Sequence, residues 1–508
     1  VDYVALAREW IAKDPDAETV AELEQLIYND DTDALASRFS ERLNFGTAGL
    51  RGEIGAGPNR MNRVVVSEAA FGISNFLGRK GLLVVGYDGR VNSDVFARDT
   101  AEIATAAGLE VMLFDRMVPT PVLAFAVKHL NAAAGVMVTA SHNPPLDNGY
   151  KVYLGGANGG SQIISPTDAE IQAEIMKVAS SNEPWPRSGA YSLIGHDVIE
   201  AYLDRALEVV GERGEHQPKI VYTAMHGVGW NYMRELFERA GFHDIHSVSE
   251  QQEPDGSFPT VAFPNPEEPG ALDLAFAAAE ETDADLIIAN DPDADRLAVV
   301  IRQNGELRRL TGDEVGTLLG DWVASRSQSG ALACSMVSSN QLGKVAEAHG
   351  LRFEQTKTGF KWISKVPGLI FGYEEALGYC IDPQVVPDKD GVSAALAIAT
   401  IASKRNLGEY LDEIGERYGH FATSQVSLRF ESVAKAKEAF ESVRSLGTGD
   451  DMITWSPIEG TKALFRVSGT EPKLKCYIQA QAENHEAALK KLAELEKLVR
   501  AETSKASA

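Results

Sequence analysis

The stretch Gly135-Val136-Met137-Val138-Thr139-Ala140-Ser141-His142-Asn143-Pro144 decides how this chain is read. A short apolar run that passes directly into polar and turn-forming residues reads as a buried strand ending in a loop. Two later stretches have the same form. Asp285-Leu286-Ile287-Ile288 enters Asn290-Asp291-Pro292-Asp293-Ala294-Asp295-Arg296, and Leu369-Ile370-Phe371 enters Gly372-Tyr373-Glu374-Glu375-Ala376-Leu377-Gly378. Upstream of each lies an earlier apolar strand, at Leu82–Val85, Ile220–Tyr222 and Leu332–Val337. Each is followed by a helix that ends in glycine and then by a second strand, at Gly108-Leu109-Glu110-Val111, Gly241-Phe242-His243-Asp244 and Gly350-Leu351-Arg352-Phe353. Glycine suits a helix C-terminus. The repeat is one of elements, not of letters.

Strand, helix, strand with unbroken apolar runs indicates sheets covered by helices. Ligands in such folds sit at the carboxyl ends of strands, so each copy offers its most chemically loaded loop at the functional end. After about residue 421 the pattern changes to strand-like stretches and a closing helix with Leu489, Leu492, Leu495 and Val499. The fold class expected is α/β: three similar α/β domains with mixed sheets and a smaller C-terminal α+β domain, divided as 1–190, 191–305, 306–420 and 421–508. The first forty residues read as a helical preface. Val4, Ala7, Trp10 and Ile11 share one face, Leu23, Leu26 and Ile27 another, and Asp14-Pro15 is expected to cap and open the second helix.

With 508 residues the chain can hold several cores, at roughly 150 residues per domain. Lys and Arg number 48 against 73 Asp and Glu, a formal net charge of −25. That balance disfavours nonspecific binding to nucleic acid or an anionic membrane, yet leaves room for a small anion in a locally basic pocket. Cys334, Cys380 and Cys476 are far apart and odd in number, which argues against a disulfide framework and for a reducing, cytoplasmic setting. Residues 1–10 do not read as a signal peptide, and the apolar run Val392–Ala402 is too short to span a bilayer and reads as a buried helix.

Asp291, Asp293 and Asp295 come first in the chemistry. Alternate residues of an extended loop point the same way, so three carboxylates converge on one hard cation. A calcium loop does not fit, because the sixth position is Arg296 instead of glycine and the twelfth is Arg302 instead of glutamate. Three charges this close repel one another without a counter-ion, and octahedral Mg²⁺ would keep room for waters and a phosphate oxygen. Ser141 does not read as a hydrolase serine. Neighbouring side chains are expected to diverge, which removes His142 as its base, and the G-x-S-x-G elbow is missing. The sharper reading is a phosphoryl-carrying serine whose oxygen completes the metal's coordination. Arg466-Val467-Ser468-Gly469-Thr470-Glu471-Pro472-Lys473 combines a guanidinium, two hydroxyls, a glycine backbone and an ammonium, a composition suited to holding phosphate.

Together these segments, with Gly46-Thr47-Ala48-Gly49-Leu50-Arg51-Gly52 and Asn148-Gly149-Tyr150-Lys151, resemble the α-D-phosphohexomutase superfamily of phosphoglucomutases and phosphomannomutases. The resemblance spans nearly the whole chain and implies four domains around a central cleft, one loop from each. It implies that Ser141 is phosphorylated in the resting enzyme, with Mg²⁺ between it and Asp291, Asp293 and Asp295. Glu374 would bind sugar hydroxyls, with Thr358 and Gly359 alongside. Arg466, Ser468, Gly469 and Thr470 would hold the non-reacting phosphate, and Arg51, Arg296, His142, Lys151 and Lys389 would line the reacting end. The implied partners are small sugar phosphates, with glucose 1,6-bisphosphate as activator and intermediate.

Two departures bear on the sugar. The superfamily's sugar loop often carries a serine two residues after the glutamate, where this chain has Ala376. Thr356-Lys357-Thr358 also lacks the common proline before the second threonine. Both features look more like the branch of type-2 phosphoglucomutases and phosphopentomutases. The expected reaction is interconversion of glucose 1-phosphate and glucose 6-phosphate, with a pentose or mannose phosphate as alternatives and a sugar-phosphate sensor as the non-enzymatic one. Lys151 is the first candidate for the proton carrier and His142 the second.

Overall fold

A computed structural model of the chain describes residues 1–46, 48–181, 185–467 and 472–504. They form two compact units: Val1–Arg309 with Gly378–Lys404, and Leu310–Leu377 with Arg405–Ala508.

The repeat expected from the sequence is a repeat of topology. In the first copy, Leu82–Tyr87 pairs in parallel with Glu110–Phe114 on one side and Ala134–Val138 on the other. In the second, Ile220–Thr223 lies between Ile245–Ser247 and Leu286–Asn290. In the third, within the second unit, Ala331–Ser335 lies between Arg352–Thr356 and Leu369–Glu374. The spatial order is third strand, first strand, second strand each time. The helices Ser93–Ala106, Gly229–Arg239 and Gln341–Ala348 stop just before Gly108, Gly241 and Gly350, which have φ of +105°, +80° and +66°. Only glycine adopts such values without strain, so the letter that repeats is the one the backbone requires.

Antiparallel strands make the first two sheets mixed. Asp147–Leu154 runs antiparallel to Ala134–Val138, and Leu50–Glu53 antiparallel to Asp147–Leu154. Leu297–Gln303 runs antiparallel to Leu286–Asn290, with Glu306–Arg309 beyond it. Every residue of Ala134–Val138, Leu286–Asn290 and Ala331–Ser335 is buried. Layers on both faces explain why these strands read as continuous apolar runs and not as an alternation. The helix Gly391–Ala402 is buried along almost its whole length, which accounts for its uninterrupted apolar sequence. The last sheet has the order His420–Arg429, Lys473–Ala482, Thr461–Val467, Ile453–Trp455, all antiparallel, and packs with the helices Val433–Val443 and His485–Ser504.

Two local expectations are corrected. The second helix is Ala17–Tyr28, capped by Asp16 and not Asp14. The Asp14 carboxylate instead accepts from the Asp16 amide at 3.0 Å, the Thr19 hydroxyl at 2.8 Å and the Trp10 indole at 3.1 Å, so it ties two helices together from outside. In the closing helix the buried face is Ala488, Leu492, Leu495 and Val499, while Leu489 is 47 % exposed. The stripe therefore starts one residue earlier, at the 4-3-4 spacing of a single helix face.

Ile288→Ala removes a fully buried side chain from the strand that feeds the acidic loop. It should destabilise the protein by roughly 2–5 kcal/mol, read as a lower urea midpoint with an unchanged slope.

Candidate active site

The Ser141 loop joins Ala134–Val138 to its antiparallel neighbour Asp147–Leu154. Gly49 and Gly149 let the first antiparallel strand close on it. A Cβ on Gly49 would lie 1.7 Å from the Tyr150 carbonyl oxygen, and one on Gly149 would lie 2.6 Å from that of Thr139. The resulting register sets Arg51 opposite Gly149.

Ser141 has φ +53°, in the left-handed region that a non-glycine residue occupies only when its surroundings impose it. Its amide donates to Thr139 Oγ1 at 2.8 Å. This conformation brings Ser141 Oγ within 3.2 Å of His142 Nδ1. The expectation that the two neighbouring side chains diverge holds for extended backbone and fails here for that reason. Ser141 Oγ also donates to Asp291 Oδ2 at 3.0 Å, across 150 positions of sequence.

The acidic loop is a turn and not the extended run expected from alternate spacing. Ala294 takes φ +53°, its amide donates to the Asp291 carbonyl at 2.8 Å, and the Arg296 amide donates to Asp291 Oδ1 at 3.0 Å. Asn290 closes the turn by donating to the Arg296 carbonyl at 2.6 Å. From below, Val228 donates its amide to the Pro292 carbonyl at 2.9 Å, and a Cβ on Gly227 would lie 2.3 Å from Pro292 Cα. The three carboxylates still converge, each offering an oxygen within 4.8 Å of the others, and all three are buried.

Lys151 enters this cluster from the antiparallel strand. Its Nζ lies 2.6 Å from Asp293 Oδ2 and 3.0 Å from Asp295 Oδ2. Lys389 Nζ lies 3.4 Å from Asp295 Oδ2, and Arg296 Nε lies 3.9 Å from Asp291 Oδ2 and 3.8 Å from Asp295 Oδ1. Arg51 donates to Asn143 Oδ1 at 3.2 Å. Thus Ser141, His142, Lys151, Arg51, Arg296, Lys389 and the three aspartates all belong to the first compact unit.

Sequence reading missed two residues here. Thr120, first in the helix Thr120–His129, grips Asp293 twice: its hydroxyl donates to Oδ2 at 2.5 Å and its amide to the main-chain carbonyl at 2.9 Å. Tyr153 donates to Asp388 Oδ2 at 2.7 Å, and Asp388 Oδ1 in turn accepts from the Lys389 amide at 2.8 Å. The only sequence signal was position, two residues beyond Lys151 on the same face of a strand.

Burial pushes Asp291 well above the usual carboxylate range, and Asp293 and Asp295 reinforce it. Burial acts the same way on Asp293, but Lys151 and Thr120 more than reverse it. Burial and Asp293 push Asp295 up, and Lys151, Lys389 and Arg296 bring it below its ordinary value. Burial would strip the proton from Lys151, but Asp293 and Asp295 outweigh it and hold the ammonium form. Held in this way, the Lys151 ammonium offsets carboxylate charge, and the nearby group shifted in the opposite direction is His142. Burial, with Arg296 and Arg51 nearby, keeps that imidazole well below its usual value and therefore neutral at pH 7. Among the described residues, Asp293 Oδ1 and Asp295 Oδ1 are buried with no hydrogen-bond partner. Two such oxygens beside a third carboxylate form an all-oxygen donor set that fits a hard divalent cation.

The other predicted residues lie in the second unit. Half-buried Thr358 precedes Gly359, which has φ +108° and caps the short helix Phe360–Ile363. Glu374 ends the strand Leu369–Glu374. Its neighbour Glu375, unremarked in the sequence reading, accepts from Ser335 Oγ at 2.9 Å and Ser338 Oγ at 3.0 Å. Arg466 lies opposite Lys475 in the last sheet. Ser468, Gly469 and Thr470 lie outside the described residues.

Descriptions of the phosphoglucomutase/phosphomannomutase alpha/beta/alpha domains I, II and III match residues 42–182, 200–305 and 311–418. A Haemophilus influenzae protein named "Probable phosphomannomutase" is 44% identical over 471 residues, covering 87% of this chain and 97% of its own length. A Homo sapiens protein named "Phosphopentomutase" is 35% identical over 559 residues, covering 93% and 90%. The crystal structure of a phosphoglucomutase/phosphomannomutase family protein from Burkholderia thailandensis has the same fold, with a TM-score of 0.72 at 22% identity, covering 91% of this chain and 97% of its own. Fold and matches define a phosphosugar mutase scaffold of three α/β domains and a fourth sheet. The chain belongs to the phosphoglucomutase/phosphomannomutase family.

Two outcomes follow from these charges. Lys151→Met leaves two buried carboxylates facing each other, so it should lower the melting temperature strongly in a metal-free buffer and less with millimolar Mg²⁺, by a thermal-shift assay. Burial, with Glu374 and Asp313 nearby, pushes the Glu375 carboxyl from 4.5 up to about 7. The folded state then binds more protons than the unfolded one between those values, so this group's contribution to stability falls as pH rises from 4.5 through about 7. Glu375→Gln should flatten that part of the stability profile, measured by urea unfolding at stepped pH.

Proposed function

We propose that the chain is a mutase that interconverts glucose 1-phosphate and glucose 6-phosphate through a phosphoserine at Ser141 and a sugar bisphosphate. The observation that carries this reading is the 3.0 Å contact between Ser141 Oγ and Asp291 Oδ2 within a buried, converging acidic trio. We take the chain as four domains, 1–190, 191–305, 306–420 and 421–508; the spans 42–182, 200–305 and 311–418 matched by the family descriptions fall inside the first three.

Asp291, Asp293 and Asp295, with an oxygen from the phosphorylated Ser141, would hold Mg²⁺, which when bound supplies Lewis-acid relief of charge on the phosphoryl oxygens. In the forward step the phosphorus–Oγ bond breaks and a bond from phosphorus to a sugar oxygen forms. The sugar hydroxyl gives up its proton and Ser141 gains one. His142 relays the proton at Ser141: neutral, with Nδ1 3.2 Å from Oγ, it takes the proton that the sugar hydroxyl gives up and passes one to Oγ as the phosphoryl group leaves, and the relay runs backwards when the serine is rephosphorylated. Arg51, Arg296, Lys389 and the ammonium of Lys151 offset charge on the transferring group, and this electrostatic work carries most of such a reaction. Glu374, Thr358 and Gly359 bind the sugar, and Arg466, Ser468, Gly469 and Thr470 the phosphate that does not react, as the family's motifs imply.

A pentose phosphate is the second reading. Ala376 favours it, because a missing hydroxyl partner weakens discrimination between sugars, and so does the 35% identical human relative named "Phosphopentomutase". Comparing kcat/KM for glucose 1-phosphate, ribose 1-phosphate and mannose 1-phosphate tests the assignment. Glucose 1-phosphate should rank first, and a large ribose preference would overturn that choice. Ser141→Ala should lower kcat by about a thousandfold or more, and intact-mass measurement should find one phosphoryl group on the wild type and none on the variant.

A further inference from the structure

Arg90 follows the strand Leu82–Tyr87 in the turn Tyr87-Asp88-Gly89-Arg90 and is 3 % exposed. Its guanidinium donates to four main-chain carbonyls of one loop. Nη2 reaches the carbonyls of Ser141 and Asn143, each at 2.7 Å, and Nη1 reaches those of Pro144 at 2.9 Å and Asp147 at 2.8 Å. A guanidinium has five N–H donors. Four are committed to the loop, and the fifth, on Nε, faces Asp88 Oδ2 at 3.8 Å. Both terminal nitrogens are thus committed to the loop, and Nε is buried with the Asp88 carboxylate as its nearest charge.

The support around Arg90 is as specific as its grip. Asp88 Oδ1 accepts from the Arg90 amide at 3.0 Å and from Ser93 Oγ at 2.7 Å. Ser93 Oγ accepts from Asn148 Nδ2 at 3.0 Å, and the same amide group reaches the Val91 carbonyl at 2.8 Å. The guanidinium also lies over the Phe258 ring, 5.0 Å from its centre. Both backbone polar groups of Ser141 are therefore fixed, the amide by Thr139 Oγ1 and the carbonyl by Arg90. Those two groups flank the φ angle of +53° that aims Oγ at Asp291.

We infer that Arg90 is the positioning residue of the phosphoryl transfer: it holds Ser141 in its left-handed conformation and so sets where Oγ meets the acidic trio. The inference deepens the phosphoserine reading and rests on it. A misplacement of about 1 Å in a reacting group lowers a rate by about a hundredfold. Lysine retains the charge but has three donors at one point and cannot span four carbonyls.

The test compares wild type, Arg90→Lys and Arg90→Met, by steady-state kinetics with glucose 1-phosphate and by the rate at which glucose 1,6-bisphosphate phosphorylates Ser141, followed by intact mass. Both variants should lose kcat by about a hundredfold with KM changed by only a few-fold, and the phosphorylation rate should fall in parallel. On a further variant, Arg90→Ala, free guanidinium ion should restore part of the lost kcat. Unchanged kcat per folded molecule in Arg90→Lys, or a rise in KM as large as the loss in kcat, overturns the inference. If Arg90→Met does not fold, Arg90→Lys alone decides. A wild type that takes no phosphoryl group on Ser141 removes the phosphoserine reading and this inference with it, whereas a phosphorylated wild type with a fully active Arg90→Lys removes this inference alone.

Discussion

The ion pair on which this site depends is one ammonium between two buried carboxylates. Lys151 lies 2.6 Å from Asp293 and 3.0 Å from Asp295, and neither aspartate has access to water. Three carboxylates within one turn would otherwise repel one another in a medium that screens poorly. Lys151 offsets part of that repulsion, and Lys389 and Arg296 stand further off and offset more. The compensation is partial by construction, since two carboxylate oxygens face inward with no hydrogen-bond partner among the described residues. The chemistry of the site is therefore mixed: three carboxylates that could hold a cation, with basic side chains set around them.

The fold uses one device in each of its three copies. In each copy the third strand lies beside the first, and its carboxyl end carries the loaded loop: Ser141 in the first, the aspartates in the second, Glu374 in the third. An antiparallel return strand then delivers a cation to the acidic loop, because Asp147–Leu154 doubles back along Ala134–Val138 and carries Lys151 with it. Arg51 arrives by the next antiparallel strand out, opposite Gly149.

Much of this was legible in the letters. Unbroken apolar runs marked the buried strands because both sheet faces are covered, and glycine marked each helix end because the backbone there is left-handed. The aspartate trio was legible because identical charges at short spacing call for a counter-ion. What could not be read was geometry set by φ. The acidic loop converges by turning and not by alternating, and Ser141 meets His142 because its backbone is left-handed; no residue type announces either. Contacts far apart in sequence were equally hidden. Thr120 and Asp293 are 173 positions apart, and Arg90 looked like any basic residue in a turn. Lys151 was found by its motif, but its protonation state depends on which carboxylates surround it.

Gly227 shows how little clearance separates a working loop from a displaced one. Its α-hydrogen faces the Pro292 main chain at a spacing into which even a methyl group does not fit. The close approach of the acidic turn to residue 227 thus depends on the absence of a side chain there. A drift to alanine at that position would leave every acidic, basic and nucleophilic group in the sequence untouched, yet press a methyl group into the main chain of the acidic turn. In a chain of this lineage, an intact set of reactive residues is therefore insufficient evidence of an intact catalyst, and the floor beneath the acidic turn has to be inspected as well.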